Sequence, residues 1–291
     1  MLDQSIQFLI TGLTIGSIYA LVGLGFALIY NASDVVNFAQ GDFVMIGAMS
    51  AIFIHASGIP YGAAIIMAAM IAMAVGIALE KLAIERARDA TVVSTIIITI
   101  GASIFLRGAA LIIWGKDIYS FPSISGDDPI RLGNITILPQ SLWIIAFTCA
   151  LVFTLRYFFQ KTMTGKAILA CSYNKKAAYL MGIEVKHMLA LAYGISGLLG
   201  GIAGILITPI TYMTYGAGVM LGLKGFCASI LGGMGNPMGA VIGGLILGIV
   251  ESLGAGFISS GYKDAISFCI ILLVLFLKPT GIFGKTGTER V

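Results

Sequence analysis

Charged side chains are scarce in this sequence, and no long polar stretch occurs that would form a soluble domain. Of its 291 residues only 10% are Asp, Glu, Lys or Arg, whereas 58% are hydrophobic. Soluble globular domains carry about 25% charged residues, so this composition predicts an integral membrane protein. Because long apolar blocks fill nearly all of the chain, we expect a single transmembrane domain over residues 1–291.

The residue clusters that catalysis, metal binding and nucleotide binding require are also missing. The chain has four cysteines: Cys149, Cys171, Cys227 and Cys269. They show no CxxC or Cys/His ligand spacing, and we interpret them as small core residues. No His, Asp and Glu group has triad or ligand spacing, so we expect no enzyme, no metal and no cofactor. No G-x-x-x-x-G-K-[ST] phosphate loop occurs, and we expect that the chain does not bind ATP itself.

Long apolar blocks of roughly the length of a membrane span recur along the chain. Eight of them lie near 5–30, 41–57, 61–79, 92–115, 140–159, 188–212, 237–258 and 262–278. A shorter block at 217–233 contains Lys224 and several glycines, which is typical of a short or broken element. We therefore predict an all-α polytopic bundle of eight long spans plus this element. Glycine pairs such as Gly12 and Gly16 predict close helix contacts. The first block begins after MLDQ without early basic residues, so we expect it to remain in the mature protein.

Basic residues are concentrated in three regions, which the positive-inside rule places in the cytoplasm. These residues are Lys81, Arg86 and Arg88; Arg156, Lys161, Lys166, Lys175, Lys176 and Lys186; and Lys278, Lys285 and Arg290. The segment 116–138 carries Asp117, Asp127 and Asp128, which suits the opposite face. With 217–233 counted as a span, nine crossings place the N-terminus outside and the C-terminus in the cytoplasm.

A short helix is predicted within the basic segment 161–187. Asn174 is a favourable N-cap, the run from Lys175 to Met181 favours a helix, and Gly182 suits the left-handed position that ends one. Ala177, Leu180 and Met181 recur at helical spacing and form an apolar ridge. Two interpretations are open. The helix lies on the membrane surface near anionic lipid, or it docks into a soluble partner protein.

The polar stretch NASDVVNFAQGD, residues 31–42, is the first candidate for the translocation path. It is either a connecting turn, with Asp34 as an N-cap and Gly41 at a tight bend, or a gate. In a gate, Asn37 and Gln40 offer hydrogen bonds to a passing zwitterion. The dry part of the gate is closed by Val35, Val36 and Phe38. The residues assigned to the path or gate are Asn37, Phe38, Gln40, Gly41 and Asp42.

Three charges fall inside apolar blocks and need partners or water. We expect Arg107 to extend its guanidinium toward the membrane surface. Lys224 and Glu251 form a structural pair, or Glu251 bonds polar backbone groups in the bundle interior. His55 and His187 lie near span ends and are expected to be interfacial.

Several stretches resemble the branched-chain amino-acid permease family of ABC transporters, specifically the smaller permease of the pair. KAAYLMGI followed by GISGLLGGIAGILI resembles the cytoplasmic coupling segment of ABC importer permeases. The stretches GSIYALVGLGFALIYNASDVVNFAQGDFVMIGAM, ASILGGMGNPMGAVIGGLILGIVESL and YKDAISFCIILLVLFLKPTGIFG are similar to three motif blocks of the family, in the same order. The resemblance covers nearly the whole chain, although the segment 116–138 matches no family pattern.

The resemblance implies a permease subunit that imports branched-chain amino acids across a bacterial inner membrane. Its implied partners are a second permease, cytoplasmic ATPase subunits and an extracytoplasmic solute-binding protein; pairing with itself or with a different permease stays open. The implied coupling helix contains Asn174, Ala177, Ala178, Leu180, Met181 and Gly182. A permease for urea or short amides is the nearest alternative. An ion-coupled secondary transporter is a further one, although we find no internal repeat and few coupling carboxylates.

Overall fold

The computed structural model describes residues 2–87, 91–126, 128–133 and 135–284. Arg88, Asp127, Lys285 and Arg290, which contributed to the charge pattern above, lie outside the described residues. The helices are α1 Leu2–Ser33, α2 Gln40–Ala56, α3 Tyr61–Leu79, α4 Val92–Trp114, α5 Pro139–Lys161, α6 Met163–Tyr173, α7 Lys175–Leu180, α8 Val185–Thr211, α9 Ala217–Gly232, α10 Pro237–Phe257 and α11 Lys263–Leu277. A π-helical turn, Glu80–Ile84, continues α3, and a 3₁₀ turn, Ser260–Tyr262, precedes α11.

Seven helical segments of the described chain are long and apolar enough to cross a membrane, and two shorter apolar helices, α2 and α9, accompany them. The bundle architecture is confirmed, but the expected count of eight long spans is wrong by one. The block at 41–57 forms α2, which has 17 residues. It is short because the chain from Asp34 to Ala39 is not helical and leads back into the bundle before α2 begins. The element at 217–233 is a continuous 16-residue helix, α9.

Glycine faces allow the central helices to approach one another closely. A Cβ atom at Gly12 of α1 would lie 2.7 Å from Cα of Ile249 in α10, and one at Gly16 would lie 2.9 Å from the carbonyl oxygen of Gly244. Real Cβ atoms do not approach this closely, so a larger residue would force α1 and α10 apart. The predicted contact faces of small residues are confirmed here, in agreement with the packing that membrane helices use.

Burial is uneven across the bundle. Helices α1 and α8 are covered on most of their surface, whereas α4, α5 and α11 expose most of theirs. The outward apolar side chains include Phe105 and Ile112 of α4 and Phe276 of α11. Cys149 and Cys269 are exposed on these outer helices, so their assignment to the core is wrong, whereas Cys171 and Cys227 are buried as expected. The inner helices therefore form the core, and the outer ones present apolar faces outward.

The bundle has two distinguishable ends. At the first, here called the α7 end, Lys175 contacts Ser33 at the end of α1, and Ile282 bonds Leu231 at the end of α9. At the other, the hairpin end, a short antiparallel hairpin pairs β1, Ile130–Leu132, with β2, Ile135–Ile137. The side chain of Gln7 in α1 bonds both backbone groups of Thr136 there. This hairpin was not foreseen from the sequence, because strands of three residues are too short to show the alternation of apolar and polar residues that predicts a strand.

Candidate functional site

The short helix α7 has the ends that its sequence predicts. Oδ1 of Asn174 accepts a hydrogen bond from the Ala177 amide at 2.9 Å, which makes Asn174 the N-cap. Gly182 has a φ of 81°, and its amide bonds the Tyr179 carbonyl while the Ile183 amide bonds that of Ala178. These two bonds are the Schellman pattern, which needs a residue in the left-handed region at that position. Both ends of this six-residue helix are therefore fixed by local hydrogen bonds.

The apolar ridge of α7 points away from the protein. Leu180 and Met181 are each 83% exposed and Ala177 is exposed too, whereas Ala178 is buried against the bundle. Ala178 thus holds the helix in place, and Ala177, Leu180 and Met181 are left without a contact surface. A two-turn helix is unstable alone in water, so this position depends on packing from the bundle side.

Ion pairs tie the surroundings of α7 to the ends of three spans. Lys175 Nζ lies 3.2 Å from Asp34 Oδ2 beyond α1, and Lys186 Nζ lies 2.7 Å from Glu85 Oε1 beyond the π-helical turn of α3. A cleft of about 830 Å³ opens beside α7, and its walls include Lys81, Tyr179 and His187. A displacement of α7 would therefore be transmitted to α1 through Lys175, and to α8 and α3 through the segment that carries Lys186.

Three polar side chains of the stretch 31–42 are buried among the helices. Asn37 and Gln40 are fully buried and Asp42 is 1% exposed. Ser196 Oγ of α8 lies 2.6 Å from Gln40 Oε1 and 2.9 Å from the Gly25 carbonyl, and the Gln40 amide nitrogen donates to the Ser196 carbonyl. The Phe38 amide donates to Thr99 of α4. Gln40 therefore fastens α2 to α8 and α1.

Two details of the connecting-turn interpretation are wrong. Asp34 does not cap α2, because the residue before that helix is Ala39 and no side chain caps it. Asp34 instead has a φ of 63° at the end of α1. Gly41 is inside α2 and relieves no bend; its missing side chain lets Gly218 and Gly222 of α9 come close. The gate assignment of residues 37, 38 and 40–42 stays a prediction, with Phe38 and Gly41 bordering a cavity between α2, α4 and α9.

Arg107 does not extend toward the membrane surface as expected. Its Nε donates to the Ser103 carbonyl one turn back along α4 and lies 3.7 Å from Asp42 Oδ1. The physical reason is that Cβ atoms on a helix tilt toward its N-terminus, which aims Arg107 at the middle of α4. The buried carboxylate of Asp42 then supplies the opposite charge.

Lys224 and Glu251 form the expected pair, with Lys224 Nζ 3.0 Å from Glu251 Oε1. The pair belongs to a larger network. Asp264 lies 2.7 Å from Lys224 Nζ, Lys263 lies 3.3 Å from Glu251, and the Tyr19 hydroxyl donates to Glu251 at 2.9 Å. Ser267 Oγ donates to the other carboxylate oxygen. The network joins α1, α9, α10 and α11 and satisfies charges that would otherwise be costly in the membrane.

No group of three or more His, Cys, Asp or Glu residues in the described ranges has the geometry of a metal site. His187 Nδ1 lies 2.6 Å from Glu184 on the protein surface. His55 contacts the Ile59 carbonyl at the hairpin end and packs edge-on against Tyr61 and Phe121. Both histidines thus lie at ends of the bundle.

Comparison with known proteins gives a consistent result. A family model described as branched-chain amino acid transport system / permease component matches residues 8–275. The chain is 34% identical to the high-affinity branched-chain amino acid transport system permease protein LivH of Escherichia coli (strain K12), with 100% of both chains covered. It is 30% identical to the corresponding protein BraD of Pseudomonas aeruginosa, with 98% of each chain covered.

Among solved structures, PsaBC from Streptococcus pneumoniae in complex with Fab has a similar fold. The TM-score is 0.52 at 12% identity, over 94% of this chain and 92% of that chain. At this identity the likeness concerns the fold alone. Together with the full-length matches, the multi-pass bundle shows that the chain belongs to the branched-chain amino acid transport permease family.

Proposed function

We propose that the chain is a permease subunit of an ATP-binding-cassette importer for branched-chain amino acids, driven by ATP hydrolysis in a separate subunit. The observation that carries the proposal is the exposed ridge of α7, Ala177, Leu180 and Met181, on a helix whose ends are fixed and whose neighbours are ion-paired to three spans. Family membership supports a transport function, and the exposed ridge of α7 offers a contact surface for a soluble ATPase subunit.

The coupling role of α7 follows from how it is mounted. Because local hydrogen bonds define both ends of α7, the helix should move as a rigid body when a partner pushes on its exposed side. Its N-terminal anchor, Lys175, bonds the Ser33 carbonyl at 3.1 Å at the end of α1, and Glu184 and Val185 lead directly into α8. Movement of α7 would shift α1 against α8. These two helices meet where the Ser196 hydroxyl of α8 lies against the Gly25 carbonyl of α1, and Gln40 of α2 bonds Ser196 at the same point.

The orientation that suits this role places the α7 end in the cytoplasm and the hairpin end outside. The order of the helices then gives nine crossings when α2 and α9 are counted, with an external N-terminus and a cytoplasmic C-terminus. Basic side chains at the α7 end, among them Lys81, Lys176 and Lys186, agree with the positive-inside rule. The proposed location is the bacterial inner membrane.

The partners in this proposal are a second permease, with which the chain forms a heterodimer, two cytoplasmic ATPase subunits and an extracytoplasmic solute-binding protein. The cleft beside α7 would receive the ATPase. The outer apolar faces of α4, α5 and α11 provide surfaces for the second permease and for lipid. Segment 161–187 would be the coupling segment of a single transmembrane domain.

Reconstitution tests the proposal. The complex purified from native membrane with its ATPase and binding protein is placed in vesicles, and uptake of radiolabelled leucine is measured with ATP present and with an ionophore added. We expect uptake that needs ATP and persists when ion gradients are collapsed. Uptake lost with the ionophore would indicate an ion-coupled carrier, and preferential uptake of urea or acetamide would indicate the related amide importers.

A further inference from the structure

Arg107 is partly exposed on a membrane-spanning surface. Its side chain is 33% exposed, on a helix that otherwise shows large apolar side chains such as Ile104 and Phe105. A guanidinium facing lipid at this depth costs several kcal/mol. The exposed part of Arg107 must therefore meet water, a ligand or another protein and not hydrocarbon.

The free hydrogen-bonding capacity of Arg107 is large. Its Nε faces the Ser103 carbonyl at 3.3 Å and Asp42 at 3.7 Å, and no described residue hydrogen-bonds its two terminal nitrogens. Arginine presents these donors in a planar fork that matches a carboxylate. The two terminal nitrogens of Arg107 are thus available to bind a carboxylate, and the buried side chain of Asp42 lies beside the same guanidinium.

A cavity of about 160 Å³ adjoins Arg107 between α2, α4 and α9. Its wall includes Phe26, Phe38 and Phe226, and the Phe226 ring centroid lies 5.6 Å from that of Phe26 and 5.8 Å from that of Phe38. Ile100, Val219 and Leu223 contribute further apolar surface, and Ser103 of α4 also lines the cavity. The cavity is larger than the space one water molecule needs.

These features select a ligand with a carboxylate at one end and an apolar group at the other. Arg107 and Asp42 together carry no net charge, so a ligand that is itself neutral overall adds no uncompensated charge at membrane depth. A zwitterionic amino acid with an aliphatic side chain meets both conditions. A free fatty acid or an inorganic anion would add a net negative charge, and a small amide would offer the fork of Arg107 one neutral carbonyl oxygen in place of two carboxylate oxygens.

We propose that this cavity is a substrate station within the permease, in which Arg107 binds the amino acid carboxylate and the three phenylalanines contact its aliphatic side chain. The station rests on the proposed import function and names the residues that hold the substrate during passage. It also assigns a role to Phe38 and Gly41, which border the cavity, while Gln40 stays a fixed joint between helices.

Photo-crosslinking of the whole complex tests the station. The purified importer is irradiated with photo-leucine, a leucine bearing a diazirine, and adducts are mapped by mass spectrometry. We expect adducts on Phe38, Ile100 or Phe226. Excess leucine should suppress them, whereas leucinamide, which lacks the carboxylate, should not. Adducts only at other sites, or equal suppression by leucinamide, would overturn the assignment.

Variants separate binding from folding. Arg107→Gln should lower cavity labelling about tenfold, and Arg107→Lys should restore part of it because the charge is kept and the fork is lost. Arg156→Gln, an exposed arginine of α5 that borders a different groove, is the matched control and should label as wild type. Labelling of Arg107→Gln equal to that of the control would overturn the proposal.

Failure of the station and failure of the proposed function give different results. ATP-driven leucine uptake without cavity adducts would reject the station and keep the importer. Cavity adducts suppressed by leucine in a complex that shows no ATP-driven uptake would keep the station and reject the importer. Because the competition by leucine and leucinamide uses the wild-type complex, it gives a decision even where an Arg107 variant fails to assemble.

Discussion

Single buried polar residues decide how this bundle is joined, and Glu251 is the clearest case. Its carboxylate is 1% exposed. It forms ion pairs with Lys224 and Lys263 and accepts hydrogen bonds from the hydroxyls of Tyr19 and Ser267. The sequence indicated Lys224 and Glu251, because charges are rare in apolar blocks. It did not indicate Tyr19 or Ser267, because hydroxyl residues are common in spans and also bond their own helix. Which hydroxyl reaches a distant carboxylate depends on how the helices pack.

The Lys224–Glu251 pair gives a prediction about buried charge. Lys224→Met leaves Glu251 without its best partner and should lower the free energy of unfolding by about 3 to 5 kcal/mol, whereas adding Glu251→Gln should recover most of that loss. Thermal unfolding of the purified protein in detergent measures both. Lys263→Met, at a side chain that is 43% exposed, is the control and should cost less. A double variant as unstable as the sum of the single changes would contradict the account.

The same network changes what a charge reversal does. Exchanging the two charges by Lys224→Glu with Glu251→Lys restores an opposite pair, but it places like charges beside Asp264 and Lys263. We therefore expect the exchange to rescue only part of the stability that either single reversal loses. Adding Asp264→Lys and Lys263→Glu to the exchange should improve the rescue. Full rescue by the two-residue exchange alone would show that the outer charges do not matter.

Ser196 gives a second prediction at this scale. Ser196→Ala removes the single hydroxyl donor that lies 2.6 Å from the Gln40 carboxamide oxygen and 2.9 Å from the Gly25 carbonyl in a buried site, at a cost of about 1 to 3 kcal/mol. Ser172→Ala is the matched control, since that hydroxyl bonds only the Leu169 carbonyl of its own helix. Equal melting temperatures for the two variants would show that the Gln40 joint contributes nothing.

At the scale of elements, the ends of α7 and the bounds of α2 followed from the sequence, whereas the path of residues 34–39 between α1 and α2 did not. The N-cap Asn174 and the glycine stop Gly182 are local signals, and local signals set the ends of a short helix. The start of α2 depends on where residues 34–39 travel, which is fixed by contacts of Phe38 with Thr99 and of Gln40 with Ser196. Such contacts join residues far apart in the chain, so sequence patterns give the apolar block that forms α2 but not the buried path that leads into it.

Gly182→Ala tests the stop of α7. Alanine in the left-handed region costs about 1 to 2 kcal/mol, so the α7 amides should exchange with deuterium faster in the variant. Gly216→Ala is matched, because a Cβ meets open space at both positions but Gly216 has a φ of −99°. Hydrogen exchange read by mass spectrometry compares them. Unchanged α7 exchange in Gly182→Ala would show that the glycine is not needed.

Leu180 tests the exposed ridge. Leu180→Asp places a charge where the ATPase is proposed to pack, and ATP-driven leucine uptake should fall at least about tenfold. Leu180→Met keeps an apolar side chain at the same position and should retain uptake. Because Leu180 is 83% exposed, neither change should alter membrane insertion or thermal stability. Normal uptake by Leu180→Asp would remove the ridge from the mechanism.

For the molecule as a whole, composition and charge distribution were sufficient for the class of fold, and packing decided the rest. Apolar blocks predicted the bundle because a membrane span needs a fixed length. The hairpin of β1 and β2 and the contact of Gln7 with Thr136 were not foreseen, because they depend on two distant segments meeting at one end. The direction of the Arg107 side chain toward Asp42 could not be predicted either, because it depends on how α4 packs against α2.

Orientation is tested by cysteine labelling in intact cells. After the four native cysteines are replaced by serine, Ile118→Cys at the hairpin end should react with a membrane-impermeant maleimide. Tyr173→Cys at the α7 end should react only in opened cells. Both native side chains are well exposed, at 72% and 82%. Burial raises the pKa of the Cys171 thiol, so little background labelling is expected from this position even where the native cysteine is kept. The reverse labelling pattern would invert the topology.

The most direct measurement of the central claim is a photo-crosslink from α7. A photoreactive amino acid replaces Tyr179, which is 71% exposed beside the 830 Å³ cleft, in membranes that contain the complete importer. We predict a covalent product with the proposed cytoplasmic ATPase subunit, in a yield that changes when ATP is added. Crosslinks to lipid alone, with none to another polypeptide in any nucleotide state, would contradict it.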